Sequence, residues 1–180
     1  MPDPVDHLQA VGEIVQGLRA LGLDPVLVGG MALVVLGSRR VTRDFDFVIA
    51  HPRDRLARTI GLFYGRGLQL VSRLNDMGDV ISTIGNRKVA AIRLRLDAPA
   101  SAFFFNTETG LRINLLFDFP IPAVELAARA TRTKIRAHVF DIASEPDLLR
   151  LKRIAKKKRS APGDAEDIAF LESRRRKRSR

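Results

Sequence analysis

Asp44 and Asp46 are the residues whose type and spacing could most directly do chemistry. They lie in the stretch DFDFVI, where acids alternate with large apolar side chains as in a half-buried β-strand. Residues two apart on a strand share a face, so both carboxylates project together while Phe45, Phe47 and Ile49 point the other way. Two like charges about 6–7 Å apart repel unless something positive lies between them. Mg²⁺ is the usual solution, because it is a hard cation that prefers carboxylate oxygens. Upstream stands Gly29-Gly30, followed by the apolar run Met31 to Leu36, which suits a buried helix starting just after a turn. Glycine lets the backbone adopt φ > 0 and approach a ligand closely, and the N–H groups at a helix start favour phosphate. A phosphate cradle next to a metal-binding carboxylate pair is what nucleotide chemistry needs.

With those residues in view, the stretch Val26 to Ile49 resembles a known signature. GG-x-A (Gly29 to Ala32) followed by R-x-T-x-D-x-D (Arg40 to Asp46) looks like that of the nucleotidyltransferase superfamily. This DNA polymerase β-like group includes minimal nucleotidyltransferases, antibiotic nucleotidyltransferases and AbiEii-type toxins. The resemblance implies transfer of a nucleoside monophosphate from an NTP, ATP among the candidates, to a hydroxyl acceptor. It also implies two Mg²⁺ ions held by three carboxylates, Asp44 and Asp46 among them. The third carboxylate of the family stands in a pattern like R-[VI]-D-L-L. Here the matching segment is Arg112-Ile113-Asn114-Leu115-Leu116, so the position is Asn114. An amide carbonyl can ligate a metal, but it brings no negative charge and cannot act as a base. Asp118 lies on the same strand face, but four residues along a strand is about 13 Å. Three outcomes stay open: Asn114 as a neutral ligand, another acid such as Asp118 recruited, or a site that binds nucleotide without turnover. Leu151-Lys152-Arg153 and Asp164 to Ile168 also resemble the close of AbiEii-like proteins, with KKKRSAPG inserted between the halves. By that resemblance Lys152 contacts phosphate, Arg159 stands for the family's arginine, and Asp164 and Asp167 brace the helix pair. Gly29, Gly30 and Arg40 complete the implied nucleotide-binding set.

The elements that must position these residues are partly legible. Leu8, Val11, Ile14, Val15, Leu18 and Leu21 have helical spacing, and Gly22 marks the stop. Pro52 suits the first turn of a helix over Arg53 to Tyr64, with His51 before it read as a cap rather than a ligand. Leu68 to Val71 predicts a short strand, and Asp79 to Ile84 a short helix. Val89 to Asp97 alternates Ile92, Leu94 and Leu96 with Arg93, Arg95 and Asp97, which predicts a strand. No role is assigned to Phe103-Phe104-Phe105 beyond packing. Leu111 to Phe119 predicts a strand with Asn114 and Asp118 on its polar face. A helix follows over Pro122 to Ala130, then one or two short edge strands within Lys134 to Ile142. Ser144 with Asp147 forms an approximate capping box for a helix from Glu145 to about Lys158. After a break at Ser160 to Gly163, Asp164 to Ser173 predicts a last short helix. The pattern predicts an α/β (α+β) chain: a small mixed β-sheet with packed helices and a C-terminal helix pair, as the resemblance implies. The organisation expected is a core over 1–143, a helical segment over 144–173, and a basic disordered tail over 174–180.

Composition limits the partners. The 180 residues are 46% hydrophobic and contain no cysteine, which excludes a disulfide framework and thiolate zinc sites and fits a reducing cytoplasm. The N-terminus MPDPVDHLQA does not read as a secretory signal, and the uncharged run Pro25 to Ser38 is too short to span a membrane. The net charge is +11, of which Arg150 to Arg180 contributes +9. That asymmetry points to nucleic acid, RNA or tRNA, meeting the C-terminal end. A toxin-like transferase with an antitoxin-type protein partner is the narrower version. The alternative is a catalytically weakened nucleotide- or RNA-binding module, for which Asn114 is the main support.

Overall fold

The chain's structure is a computed structural model that describes residues 4–159 and 161–180. Eight strands form one mixed sheet in the order β4-β3-β5-β6-β2-β1-β8-β7. Its centre is β2 (Asp44–Ile49), flanked by β6 (Arg112–Phe117) in parallel and β1 (Val26–Val28) in antiparallel pairing. Phe45, Phe47 and Ile49 are buried, as the alternation requires. Ile113, Leu115 and Phe117 do the same on β6.

Helix α1 (Pro4–Ala20) buries Val11, Ile14, Val15 and Leu18, and packs against β8 (His138–Ile142) and α3 (Leu56–Tyr64). Gly22, at φ +75°, closes it in a conformation that glycine adopts without strain. Helix α2 (Gly29–Val35) starts directly from β1. Strand β3 (Leu68–Leu74) pairs with β4 (Val80–Ile84) and β5 (Ser101–Asn106). Helix α5 (Ala123–Arg129) precedes β7 (Thr131–Ile135). Helix α6 (Glu145–Lys158) starts at the Ser144 cap, whose hydroxyl accepts from the Asp147 N–H at 3.3 Å. It packs against α7 (Pro162–Arg178).

The structure differs from the sequence reading in four places. Arg87–Asp97 is a helix, α4, not a strand. It is capped by the Asn86 side chain, which accepts from the Lys88 and Val89 N–H groups, and it buries only Ala90 and Leu94, one helical turn apart. The alternating Ile92 and Leu96 are exposed, so the strand-like pattern lies outside the packed face. Val80–Ile84 is a strand of the β3–β4 hairpin rather than part of a short helix. Strand β8 is internal, pairing with β1 in parallel, so of these two strands β7 alone is an edge. Finally, α7 continues through Arg178 where a disordered tail was expected. Arg174 anchors it, donating to the Leu36 carbonyl at 2.8 Å and to Glu145. Of the break expected over Ser160 to Gly163, Ser160 falls outside the described residues, as do the first three residues of the chain, and Pro162 and Gly163 already belong to α7.

Candidate active site

Strand register builds the site. Asp44 lies opposite Arg112 and Asp46 opposite Asn114 across β2 and β6, while Val28 faces Asp46 from β1. Both aspartates line one cleft of about 660 Å³, together with Gly29, Gly30, Arg40, Asn114 and Lys152. The volume lies within the range of small-ligand sites. All seven residues singled out from the sequence therefore meet at one place, and the two carboxylates share a face.

Gly29 is held at φ +69°, and a Cβ there would stand 2.2 Å from Asp46 Oδ2. The turn needs glycine twice over, for its backbone conformation and for the carboxylate packed against it. A Cβ on Gly30 would sit 3.0 Å from the Arg40 guanidinium carbon and 3.1 Å from the Thr42 hydroxyl. The Gly-Gly turn is thus the floor on which Asp46 and Arg40 converge.

The electrostatics of the acids are unequal. Burial, and then the negative charge of Asp44, push the Asp46 carboxyl up to about 6. A hydrogen bond from Asn114 and the charges of Lys152 and Arg159 pull it partly back. Arg112 Nε lies 2.7 Å from Asp44 Oδ1, although the two are not aligned as a hydrogen bond. Arg112 is fixed from elsewhere: it donates to the Gly78 carbonyl at 2.8 Å, and its guanidinium lies 5.1 Å from the centre of the Phe103 ring.

A second cluster closes the cleft from α6 and α7. Asp164 and Asp167 are buried. Lys152 Nζ lies 2.7 Å from Asp167 Oδ2 and 3.5 Å from Asp164 Oδ1, Arg40 pairs with Asp167, and Arg159 Nε lies 3.5 Å from Asp164 Oδ2. Three cations meet two carboxylates, so the cluster keeps a positive balance facing the cleft. Lys158 adds to it at the rim, 4.7 Å from the centre of the Phe119 ring.

The two other candidates fall to structural roles. Asp118 Oδ2 accepts the His51 N–H at 3.1 Å and Oδ1 accepts the Ala123 N–H at 2.9 Å, so its carboxylate ties two chain segments together. His51 Nδ1 accepts the Arg53 N–H at 3.0 Å, a local backbone contact across Pro52. The sequence reading missed Arg112 and Phe103 as cleft residues. The R of R-I-N was visible, but its contact with Asp44 depends on a cross-strand register between segments 68 positions apart.

Among the described residues no group of three or more His, Cys, Asp or Glu side chains is arranged to hold a metal ion. The donors present are two carboxylates and the Asn114 amide. A desolvated carboxylate beside a second one still suits a hard divalent cation, so these residues fit Mg²⁺.

No protein-family model and no curated protein matches the sequence. Solved structures do. The lincosamide antibiotic adenylyltransferase LnuA, in its lincomycin-bound form, aligns over 92% of this chain and 96% of its own, at 13% identity and TM-score 0.56. An antigenic nucleotidyltransferase-like protein from Paracoccidioides brasiliensis aligns over 92% and 75%, at 19% identity and TM-score 0.57. The chain has the nucleotidyltransferase fold. The antibiotic-resistance factor ANT(2'')-Ia shares it, over 98% of this chain and 95% of its own, at 10% identity and TM-score 0.55. Within the nucleotidyltransferase fold, the carboxylate pair and the glycine turn of this chain meet at one cleft beside the α6–α7 cations. Among the described residues no helix is long and apolar enough to cross a membrane.

Proposed function

We propose that the protein transfers a nucleoside monophosphate from an NTP to an acceptor hydroxyl. The observation that carries this reading is the convergence of Asp44, Asp46 and the Gly29-Gly30 turn on a cleft that Arg40, Lys152 and Arg159 also line. Two anions and three cations around one cleft suit a triphosphate held between a metal and positive side chains. In this reading Arg159 and Lys152 bind the phosphate tail, and the side-chain-free turn lets it approach the β2 strand end. Asp44 and Asp46 hold Mg²⁺, with the Asn114 carbonyl as a neutral donor. Mg²⁺ bound there supplies charge neutralisation at the reacting phosphate and the leaving oxygen. The acceptor oxygen bonds to the α-phosphorus as the bond to the bridging oxygen breaks, and pyrophosphate leaves. Asn114 offers no basic oxygen, so the acceptor's proton leaves to solvent in the open cleft.

The acceptor we assign is RNA. Lys156 and Lys157 are exposed on α6, the exposed Arg159 just after it lines the cleft, and Arg175, Arg176, Lys177 and Arg178 form the last turn of α7. Basic segments of this kind bind polyanions through counterion release. A second reading, nucleotide binding without turnover, is favoured by one observation: the third acidic position is Asn114, bonded to Asp46.

One experiment separates the two readings. Each labelled NTP is incubated with Mg²⁺, total tRNA and either the wild type, Asp44→Asn or Asn114→Asp. Label transfer by the wild type that is lost in Asp44→Asn supports the transferase. Transfer gained only in Asn114→Asp supports the binding module.

A further inference from the structure

The two ends of the sheet are finished differently. At one end β7 carries Arg132 and Lys134, both exposed, and charges on an edge strand discourage a further strand from pairing with it. At the other end β4 is Val80-Ile81-Ser82-Thr83-Ile84, with no charge and no proline. Among the described residues it pairs with β3 alone, and none of its residues is buried. Ile81 is 48% exposed. Helix α4 follows after Gly85-Asn86 and leaves Val89, Ile92 and Leu96 exposed along one stripe. The surroundings are also electrically unusual for this chain. Against a total of +11, the stretch from Leu68 to Asn86 that forms the β3–β4 hairpin holds one Arg and two Asp, a balance of −1. A second copy of a strongly basic chain meets little repulsion there.

We propose that a second copy of the chain docks on this edge, β4 against β4 in antiparallel pairing about a two-fold axis at Ser82. An axis at the central residue is the register that pairs the strand along its whole length. It sets Val80 opposite Ile84 of the partner subunit and Ile81 opposite Thr83 of the partner subunit, and β-branched pairs of this kind stabilise neighbouring strands. Continued past the strand ends, the same register carries the turn with exposed Asp76 and Asp79 toward the exposed Arg87 and Lys88 that begin α4 in the other copy. Acid meets base on both sides of the axis, which is the self-complementarity an isologous contact requires. Strand β7 fails that requirement, since an axis at its own centre, Thr133, sets Arg132 opposite Lys134. The docking edge belongs to a hairpin that also reaches the cleft: Leu74 and Gly78 line it, and the Gly78 carbonyl accepts from Arg112 at 2.8 Å. Pairing at β4 therefore steadies the segment that anchors Arg112. The inference stands apart from the nucleotidyl-transfer reading and does not depend on it.

The test is the mass in solution. Sedimentation velocity and light scattering of the full chain, over about 1–200 µM, are read against a chain mass of 20.0 kDa. The wild type is expected to form a dimer within that range. Ile81→Lys puts a charge on the open edge and is expected to raise the dimer dissociation constant about tenfold or more. Asp76→Lys and Lys88→Glu are each expected to raise it about threefold or more, and the two combined to bring it back near the wild-type value, because the contact is then reversed in sign rather than lost. A wild type that stays monomeric throughout overturns the inference and leaves the edge to a strand of another chain. A dimer that Ile81→Lys and both charge reversals leave intact overturns it as well, since the contact then lies elsewhere, and so does a double variant no tighter than its singles. Circular dichroism checks the fold of each variant. Asp76 and Lys88 are exposed, so the charge reversals decide the matter even if Ile81→Lys does not fold.

Discussion

Replacing Asp46 by Asn should make the metal-free protein more stable while removing its metal response. The Asp46 carboxyl is pushed up to about 6 by burial and by Asp44, against an ordinary value of 3.8. The folded state therefore keeps a proton between about pH 4 and pH 6 that the unfolded state has released. Stability attributable to this group falls as pH rises through that window, and the full penalty is present above pH 6. About two pH units correspond to roughly 3 kcal/mol, an upper figure because the cleft is open to solvent. In EDTA at pH 8, Asp46→Asn should thus be more stable than wild type by ~1–3 kcal/mol, and the gap should close toward pH 4. For a chain of this length that is a rise of about 2–10 °C in the unfolding midpoint.

The assay is thermal and urea unfolding across pH 4–8, with Glu166→Gln as a control for the change in net charge. Glu166 is exposed on α7 and far simpler in its surroundings. Divalent cation should reverse the ranking. A ligand at 100 times its Kd stabilises by about 2.7 kcal/mol, available to wild type and not to Asp46→Asn. If Asp46→Asn is less stable than wild type in EDTA at pH 8, or if the difference does not change with pH, the electrostatic account of the cleft is wrong.

Three further substitutions probe the supporting structure. Asp118→Ala should cost about 1–3 kcal/mol in urea unfolding, because the His51 and Ala123 N–H groups lose their acceptor, and should leave Mn²⁺ binding unchanged; weakened metal binding would return Asp118 to the site. Asp167→Asn should cost about 3–5 kcal/mol, since Arg40 and the buried Lys152 would share one fewer carboxylate, with the loss read as a lower urea midpoint. Burial alone would raise the Asp147 carboxyl, but the bonds from Arg129 and Ser144 together hold it below the usual range. Its contribution to stability is therefore present above about pH 4 and lost as pH falls through the lowered folded-state value, so Asp147→Asn should destabilise at pH 7, with the gap to wild type narrowing as the pH is taken below 4 in the same unfolding assay.

What the sequence made legible follows the range of the interactions involved. Gly29, Gly30, Arg40, Asp44 and Asp46 lie within 18 consecutive positions, and strand alternation alone puts the two acids on one face. The Ser144 cap and the α6 span were equally local and were read correctly. Helix α4 was not, because the alternation of Ile92, Leu94 and Leu96, of which only Leu94 is buried, is louder than the packed pair Ala90 and Leu94. The Asn86 cap and the Ala-Ala pair were the helical signals available there. The end of α7 was misread for a different reason. A run of like charges suggests disorder, but Arg174 finds Glu145 and the Leu36 carbonyl on distant segments, and Arg178 finds Glu145 as well.

The same contrast separates the residues that define the chemistry from those that tune it. Asp44 and Asp46 owe their shared face to the pleat of one strand, and any strand there would give it. Their difference in character comes from β6, which sets a cation opposite one acid and an amide opposite the other. Those partners are fixed by a parallel register reached only after α3, two hairpin strands, α4 and β5 have been threaded between the two strands. A shift of that register by one residue would turn Arg112 and Asn114 away from the cleft and bring Ile113 to face it. The burial of Ile113, Leu115 and Phe117 against the core forbids that shift. The hydrophobic face of β6 therefore decides, at one remove, how much positive charge the two aspartates can hold.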